Sequence, residues 1–370
     1  MHESARAPVL VAAGGTGGHL FPAEALAAAL TKRGIAVHLV TDRRATRFGG
    51  AFPEEATHVV ASATLRARNP LAATRTAAML GIGLAQAWAL IGRLKPAAVI
   101  GFGGYPTIPP LLAAAWRGVP TLIHDANAVI GRANRQLAPR VTAIAITFPD
   151  VFRDEPRLAA KVTLTGNPVR PAVVAAAATP YPAVRDPLRL LVFGGSQGAR
   201  IMAEIVPAAV GILESGLRAR LAVVQQAREE DLGRVRTAYA NLAVTAEIAP
   251  FFPDLPARMA ASHLIVSRSG ASTVAELSAI GRPAILVPLP HALDQDQFAN
   301  AGVLESAGGA IRLAQEEFTP GRLAVEIAAL AAAPQRLAAM AVAAQSLGRL
   351  DAADRLADLM LEVAARGANK

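Results

Sequence analysis

Three short glycine-rich segments hold the residues of this 370-residue chain best suited to phosphate chemistry. Gly14-Gly15-Thr16-Gly17-Gly18-His19 follows the apolar run Val9 to Ala13, and Gly194-Gly195-Ser196-Gln197-Gly198 follows Leu188 to Phe193. Ser267-Arg268-Ser269-Gly270-Ala271-Ser272-Thr273 comes later. A glycine turn between a strand and a helix lets backbone N–H groups and a positive helix end close on an anion. His19 would stand at the start of the first helix, where the positive end favours its neutral form. A neutral imidazole there can take a proton from a hydroxyl, or it can simply hydrogen-bond a loop carbonyl or a ligand; the residues leave both open. The Ser196 hydroxyl suits a diphosphate, although a bare tight turn has the same composition. Arg170, in Gly166-Asn167-Pro168-Val169-Arg170, could reach the same phosphates or be a solvated arginine. Glu276 could accept two ribose hydroxyls or be a charge in the first turn of its helix. The cluster His291-Ala292-Leu293-Asp294-Gln295-Asp296-Gln297 suits sugar hydroxyls or an ordinary capped helix start.

These residues need parallel strands behind them. Strands are expected at Pro8–Ala13, Ala36–Thr41, Ala97–Gly101, Thr121–His124 and Ala143–Thr147 in the first half. In the second they are expected at Leu188–Phe193, Arg220–Gln225, Leu264–Ser267 and Ala284–Val287. Helical stretches alternate with them: Pro22–Arg33, 72–94, Thr107–Arg117 and Ile130–Leu137, then Ala199–Ser215, Val274–Ile280, Asp294–Ala307, Pro320–Ala331 and the tail Pro334 to Ala365. Such alternation predicts doubly wound α/β units with both sheet faces covered. The expected division is a first domain of 1–165 and a second of 166–349, with the last helix, 350–370, completing the first. Ala175–Pro187 reads as a connector.

Composition narrows the function. Hydrophobic residues make up 53%, enough for large cores, while aromatics at 4% leave few stacking surfaces. Cysteine is absent, which removes disulfides and thiolate metal sites; no other set of residues has metal-ligand spacing, so neither metal nor cofactor is expected. The N-terminus lacks the pattern of a signal peptide. Residues 1–165 hold 18 Lys and Arg against 9 Asp and Glu, whereas residues 166–370 hold 19 of each, so the first half carries the whole net charge of +9. A basic surface attracts anionic substrates and headgroups. Nucleic acid is not the expected partner, because the basic residues are scattered rather than clustered with aromatics. The uncharged stretch Thr76 to Gly92, between Arg75 and Arg93, is at the short limit for a membrane span. It reads as a buried helix, or as one lying on a membrane interface with Trp88 and the neighbouring Arg66, Arg68 and Arg75 at headgroup level. A nicotinamide site fits poorly: Gly15-Thr16-Gly17-Gly18-His19-Leu20 puts Leu20 where the last glycine of that fingerprint belongs, although Asp42 could mimic its ribose-binding acid.

Taken together, Gly14–His19, Gly101-Phe102-Gly103-Gly104-Tyr105, His124-Asp125-Ala126-Asn127, Gly166–Arg170, Gly194–Arg200, Ser267–Glu276 and His291–Asn300 resemble the MurG family of bacterial cell-wall glycosyltransferases. The resemblance implies a GT-B fold, an α/β architecture of two Rossmann-like doubly wound parallel-sheet domains facing a central cleft. It implies metal-free, inverting transfer of N-acetylglucosamine from UDP-GlcNAc to the 4-hydroxyl of the muramyl sugar of lipid I, giving lipid II. Thr16, Gly17 and Gly18 would lie in the cleft. His19, or else Asp125, would be the base. Asn127 would touch the donor sugar, Arg170 and Ser196 its diphosphate. Ala271, Ser272, Thr273, Val274, Ala275 and Glu276 would line the nucleotide pocket, with Glu276 on the ribose. Gln297 would bind sugar hydroxyls, and Phe252 would offer backbone contacts to uracil. The enzyme would sit peripherally on the cytoplasmic face of the inner membrane, on anionic lipid, with cell-wall and division proteins as candidate partners. Many family members read His-Glu-Gln-Asn where this chain has His124-Asp125-Ala126-Asn127, so its acid is one methylene shorter. Three rivals share parts of this pattern: a UDP-GlcNAc 2-epimerase, a glycosyltransferase with another acceptor, and a non-catalytic nucleotide-sugar sensor.

Overall fold

Short aliphatic runs become parallel strands in the computed structural model, which describes residues 7–43, 52–62, 70–153, 155–195, 198–290 and 295–368. The chain forms two units, Met1–Arg170 with Asp351–Lys370, and Pro171–Leu350. The first unit contains β1 (Val9–Ala12), α1 (Gly17–Lys32), β2 (Val37–Thr41), β3 (Thr57–Val59), α2 (Pro70–Leu94), β4 (Ala98–Gly101), α3 (Ile108–Trp116), β5 (Thr121–Asp125), α4 (Arg132–Leu137), β6 (Ala143–Ile146) and β7 (Val162–Leu164). Its strands form a seven-stranded parallel sheet in the order β3-β2-β1-β4-β5-β6-β7. Val9 and Val11 of β1 join the core on the α1 face, while Leu10 and Ala12 join the core on the other. Burial on both faces is why β1 reads as an unbroken apolar run rather than an alternating one.

The second unit contains α5 (Pro171–Ala177), β8 (Leu188–Phe193), α6 (Arg200–Ile212), α7 (Ser215–Arg218), β9 (Leu221–Gln226), α8 (Leu232–Asn241), β10 (Thr245–Ala249), α9 (Leu255–Ala261), β11 (Leu264–Ser267), α10 (Ala271–Ile280), β12 (Ala284–Leu286), α11 (Asp296–Ser306), β13 (Ala310–Arg312), α12 (Pro320–Ala331) and α13 (Pro334–Ser346). Its sheet order is β10-β9-β8-β11-β12-β13. In each sheet the winding direction reverses at one place, between β1 and β4 and between β8 and β11. Ligands of open α/β sheets bind beyond the strand C-termini at that reversal. The glycine turns leave β1 and β8 at these two points.

The elements differ from the sequence expectation in several places. The connector at 175–187 begins inside α5, and β3, β7, β10 and β13 add edge strands that short, partly exposed runs did not announce. The tail is not one helical run: it breaks after α13, and α14 (Ala352–Ala368) belongs to the first unit. Leu356, Met360 and Val363 of α14 share a core with Leu26 and Leu30 of α1. Each such burial stabilises by roughly 1.5–3 kcal/mol. Arg33 adds ion pairs to Asp354 at 2.8 Å and Asp358 at 3.0 Å. Residues 166–170, expected to open the second domain, group with the first unit, where the His124 Nε2–H donates to the Gly166 carbonyl at 3.0 Å.

The apolar helix α2 is not the buried helix that its composition allows. Thr74–Leu94 is long and apolar enough to cross a membrane by length and composition, yet only 22% of its most apolar window is buried. Ala87, Leu90 and Ile91 join the core that also contains Leu111 of α3. Ile82 and Trp88 are exposed, as is Trp116 at the end of α3, and the Arg117 guanidinium lies 4.2 Å from the centre of the Trp88 ring.

Candidate active site

Beyond β1 and β4, two glycine turns enclose one imidazole. Thr16 is the extended N-cap residue of α1, which places His19 third in the helix. The Thr16 hydroxyl lies 3.1 Å from His19 Nδ1. The ring rests on backbone: a Cβ added at Gly14, Gly103 or Gly104 would come within 3.1, 3.4 or 3.3 Å of its atoms. Gly103 and Gly104 also have φ of 90° and 79°, so both space and backbone conformation call for glycine there. His19 Nε2 is the ring atom nearest Gly103.

Gly103 is flanked on another side by the Asn134 amide, 3.6 Å from the same added Cβ. Asn134 Nδ2 donates to the His124 carbonyl at 3.0 Å and to Asp125 Oδ2 at 3.0 Å. The buried Asp125 carboxylate also accepts from the N–H groups of Gly131 at 2.9 Å and Asn127 at 3.1 Å. Its oxygens thereby shape the loop that carries Asn127, a role that suits a positioning group more than a proton acceptor. His124 is fully buried, its Nδ1 has no hydrogen-bond partner, and burial pushes its pKa down to about 4, partly opposed by the Gly166 carbonyl. Arg170 stacks its guanidinium 4.0 Å from the centre of the Phe21 ring, one turn of α1 from Gly17 and Gly18. Burial raises the Glu24 pKa, and the Arg170 charge opposes that shift.

In the second unit the corresponding glycine turn follows β8. A Cβ at Gly194 would lie 2.2 Å from the Ala199 nitrogen, so the turn after β8 closes only on glycine. The Gly194 N–H donates to Gln226 Oε1 at 3.0 Å, and Gln226 Nε2 donates to the Pro250 carbonyl at 3.1 Å. One buried amide thus ties the glycine turn to the loop before Phe252. The Phe252 ring is itself buried, with Arg258 stacked 4.4 Å from its centre, which leaves backbone as the part of Phe252 able to meet a ligand. Arg228 packs its stem against Gly198. Ser196 lies outside the described residues.

At the end of β11, Gly270 is the extended N-cap of α10, which starts three residues earlier than its apolar pattern implied. The N–H groups of Ala271, Ser272 and Thr273 therefore form the first turn, where α-helical donors lack intrahelical partners. Glu276 falls in the second turn and is buried, so the reading as a first-turn charge does not hold. Val274 is buried and Ala275 is half-buried. The Ser269 hydroxyl donates to the Gln297 carbonyl at 2.8 Å, and Asn300 Nδ2 donates to the Ser269 carbonyl at 3.3 Å. The Leu289 N–H donates to Gln297 Oε1 at 3.0 Å, which leaves Gln297 Nε2 as the end suited to a hydroxyl. Positions 291–294, from His291 to Asp294, lie outside the described residues.

The first unit thus gathers Thr16, Gly17, Gly18, His19, Asp125 and Asn127 around the β1–β4 reversal. The second gathers 271–276, Gln297 and the Phe252 backbone around the β8–β11 reversal. Phe21, Asn134, Gln226 and Arg228 were not anticipated. Each acts on a residue distant in sequence, and nothing local in the chain marks them.

The chain matches the glycosyltransferase family 28 N-terminal domain over residues 9–146 and the family 28 C-terminal domain over residues 189–356. It is 64% identical, over 96% of both chains, to the UDP-N-acetylglucosamine–N-acetylmuramyl-(pentapeptide) pyrophosphoryl-undecaprenol N-acetylglucosamine transferase of Rhodopseudomonas palustris (strain BisB18). It is 62% identical to the transferase of the same name from Nitrobacter winogradskyi, over 97% of this chain and 98% of that one. The crystal structure of Acinetobacter baumannii MurG superposes with a TM-score of 0.77 at 29% identity, covering 96% of this chain and 99% of that one. A UDP-GlcNAc 2-epimerase from Neisseria meningitidis shares the fold at a TM-score of 0.65 and 14% identity, covering 96% of this chain and 100% of that one.

Proposed function

The chain belongs to glycosyltransferase family 28, and from that premise we propose how it moves N-acetylglucosamine from UDP-GlcNAc to the 4-hydroxyl of the muramyl sugar in undecaprenyl-pyrophosphoryl-MurNAc-pentapeptide. The first unit takes the acceptor and the second takes the donor. The observation that carries this division is the His19 cradle, a half-buried imidazole on bare backbone at the point of the first sheet where ligands bind.

The acceptor oxygen forms its bond to the anomeric carbon of the donor sugar as the bond from that carbon to the β-phosphate oxygen breaks. The electron pair leaves with UDP, and the hydroxyl proton goes to His19 Nε2. That transfer needs Nδ1 to carry a hydrogen and donate it to the Thr16 hydroxyl oxygen, which fixes the tautomer. Asp125 holds the loop of Asn127, which meets the donor sugar. The first-turn N–H groups of α10, the glycine turn after β8 with Ser196, and Arg170 stabilise the charge that develops on UDP. Glu276 accepts from the ribose, Gln297 donates to a sugar hydroxyl, and the Phe252 backbone meets uracil.

The exposed Ile82, Trp88 and Trp116, with the exposed Arg75 and Arg93 of α2 and Arg117 stacked on Trp88, dock the first unit on an anionic membrane surface at the cytoplasmic face. Such docking would bring a prenyl-anchored acceptor to the enzyme.

The test is incubation with UDP-GlcNAc, with and without a lipid I analogue, measuring UDP release and product mass. Acceptor-dependent UDP release and a product heavier by one N-acetylhexosamine are expected. Acceptor-independent release, or return of an epimerised donor, would sink the transferase reading in favour of the epimerase.

A further inference from the structure

A cavity of about 530 Å³ opens in the first unit beside the His19 cradle. Asp42 and Arg43 follow β2, Val60 follows β3, Met79 and Gln86 come from α2, and Tyr105 comes from the turn after β4. None of the groups assigned above to the reaction lines it. We propose that this cavity receives the peptide of the acceptor and is a specificity-determining subsite. The proposal rests on the reading that His19 faces the acceptor hydroxyl.

Covalent connectivity is the first argument. A muramyl sugar carries its peptide through a lactyl ether on O3, the ring position next to the reacting O4. The peptide must therefore leave the sugar beside the base. The cavity wall begins at Tyr105, the residue after Gly104, and Gly104 packs directly on the His19 ring, an added Cβ there meeting it at 3.3 Å.

The lining is the second argument. It combines an acid, a guanidinium, a phenol and an amide with the apolar Val60 and Met79. Asp42 is only 7% exposed. A prenyl chain in this cavity would cover the Tyr105 phenol and the Gln86 amide and offer them no hydrogen bond, at roughly 2–7 kcal/mol for each neutral polar group. A peptide offers amide N–H, carbonyl and charged groups to the same lining, and its small side chains to Val60 and Met79. Gln86 is already oriented: its Oε1 accepts from the Ala61 N–H at 2.8 Å, so Nε2 is the atom that can donate to a peptide carbonyl. The volume lies within the range of small-molecule sites, enough for part of a pentapeptide.

Two lipid I analogues decide the matter, one with the pentapeptide and one ending at the lactyl carboxamide. Each is assayed for kcat/KM with the wild-type chain and with Asp42→Asn and Arg43→Ala; Arg43 is exposed, so its variant folds even if Asp42→Asn does not. The wild type should prefer the peptide-bearing analogue. Each variant should lose about tenfold on that analogue, the scale of a hydrogen bond to a charged group. Rates on the stripped analogue and the donor KM should hold. Equal use of both analogues by the wild type, equal losses on both in the variants, or no loss at all would overturn the proposal. Absence of UDP release from the wild type with either analogue would instead overturn the transferase reading beneath it.

Discussion

His19 and Thr16 form a pair whose proton placement decides whether Nε2 can act as a base. Replacing His19 with alanine should lower kcat by roughly a hundredfold or more, the range of general-base catalysis, while donor KM changes little. Steady-state kinetics check this; a raised donor KM at unchanged kcat would make His19 a binding residue. Glu276→Gln should act on the donor side, raising donor KM about tenfold or more for the loss of charge-assisted bonds to ribose. An unchanged donor KM would remove Glu276 from the nucleotide. His124 makes a different prediction, on stability. Burial disfavours the charged ring and holds its folded pKa down at about 4, below the ordinary 6.5 of a histidine. The folded state thus binds fewer protons than the unfolded one in this window. The resulting stabilisation, at most about 3 kcal/mol, is complete above pH 6.5 and is lost as the pH falls toward 4. Melting temperatures from pH 7.5 to 5 should fall less steeply in His124→Gln than in the wild type. Burial lowers His58 and His263 in the same direction, so the difference between the two slopes isolates His124.

Among the elements, α14 shows which contacts hold the first unit together. Leu356 is fully buried against the α1 face of the sheet, whereas the acids that pair with Arg33 are mostly exposed. Leu356→Ala should cost about 2–5 kcal/mol, from lost transfer energy and the cavity left behind. Arg33→Ala should cost no more than about 1 kcal/mol, because solvent screens exposed pairs. Urea unfolding of the two variants separates the contributions, and equal losses would refute the ranking. The interior strands β1, β8 and β11 were legible because burial on both faces writes an unbroken aliphatic run. The edge strands were not: Thr57–Val59 and Thr245–Ala249 are partly exposed, and neighbouring strands rather than their own residues hold them. The glycine turns were legible for a steric reason, since at Gly194 and Gly103 only glycine lets the chain close.

For the molecule as a whole, the net positive charge falls in the first half of the chain, and both exposed tryptophans, Trp88 and Trp116, lie in the first unit. Ile82→Glu and Trp116→Glu should lower sedimentation with anionic vesicles without lowering the melting temperature, since both side chains are exposed. Added salt should weaken what binding remains, by screening the basic residues. Unchanged sedimentation would move membrane docking away from α2 and α3. What the chain alone revealed was a set of local facts: two doubly wound halves, three anion-suited turns, a basic first half and a motif order shared with one enzyme family. Such facts are legible because backbone sterics and burial act on neighbouring residues. Folding in three dimensions settled the rest: that Asp125 organises a loop, that Gln226 joins the turn at Gly194 to the loop at Pro250, that Arg170 stacks on Phe21 and that α14 shares its core with α1. Each of those depends on contacts between segments remote along the chain, and no local pattern encodes which remote partner a side chain will meet.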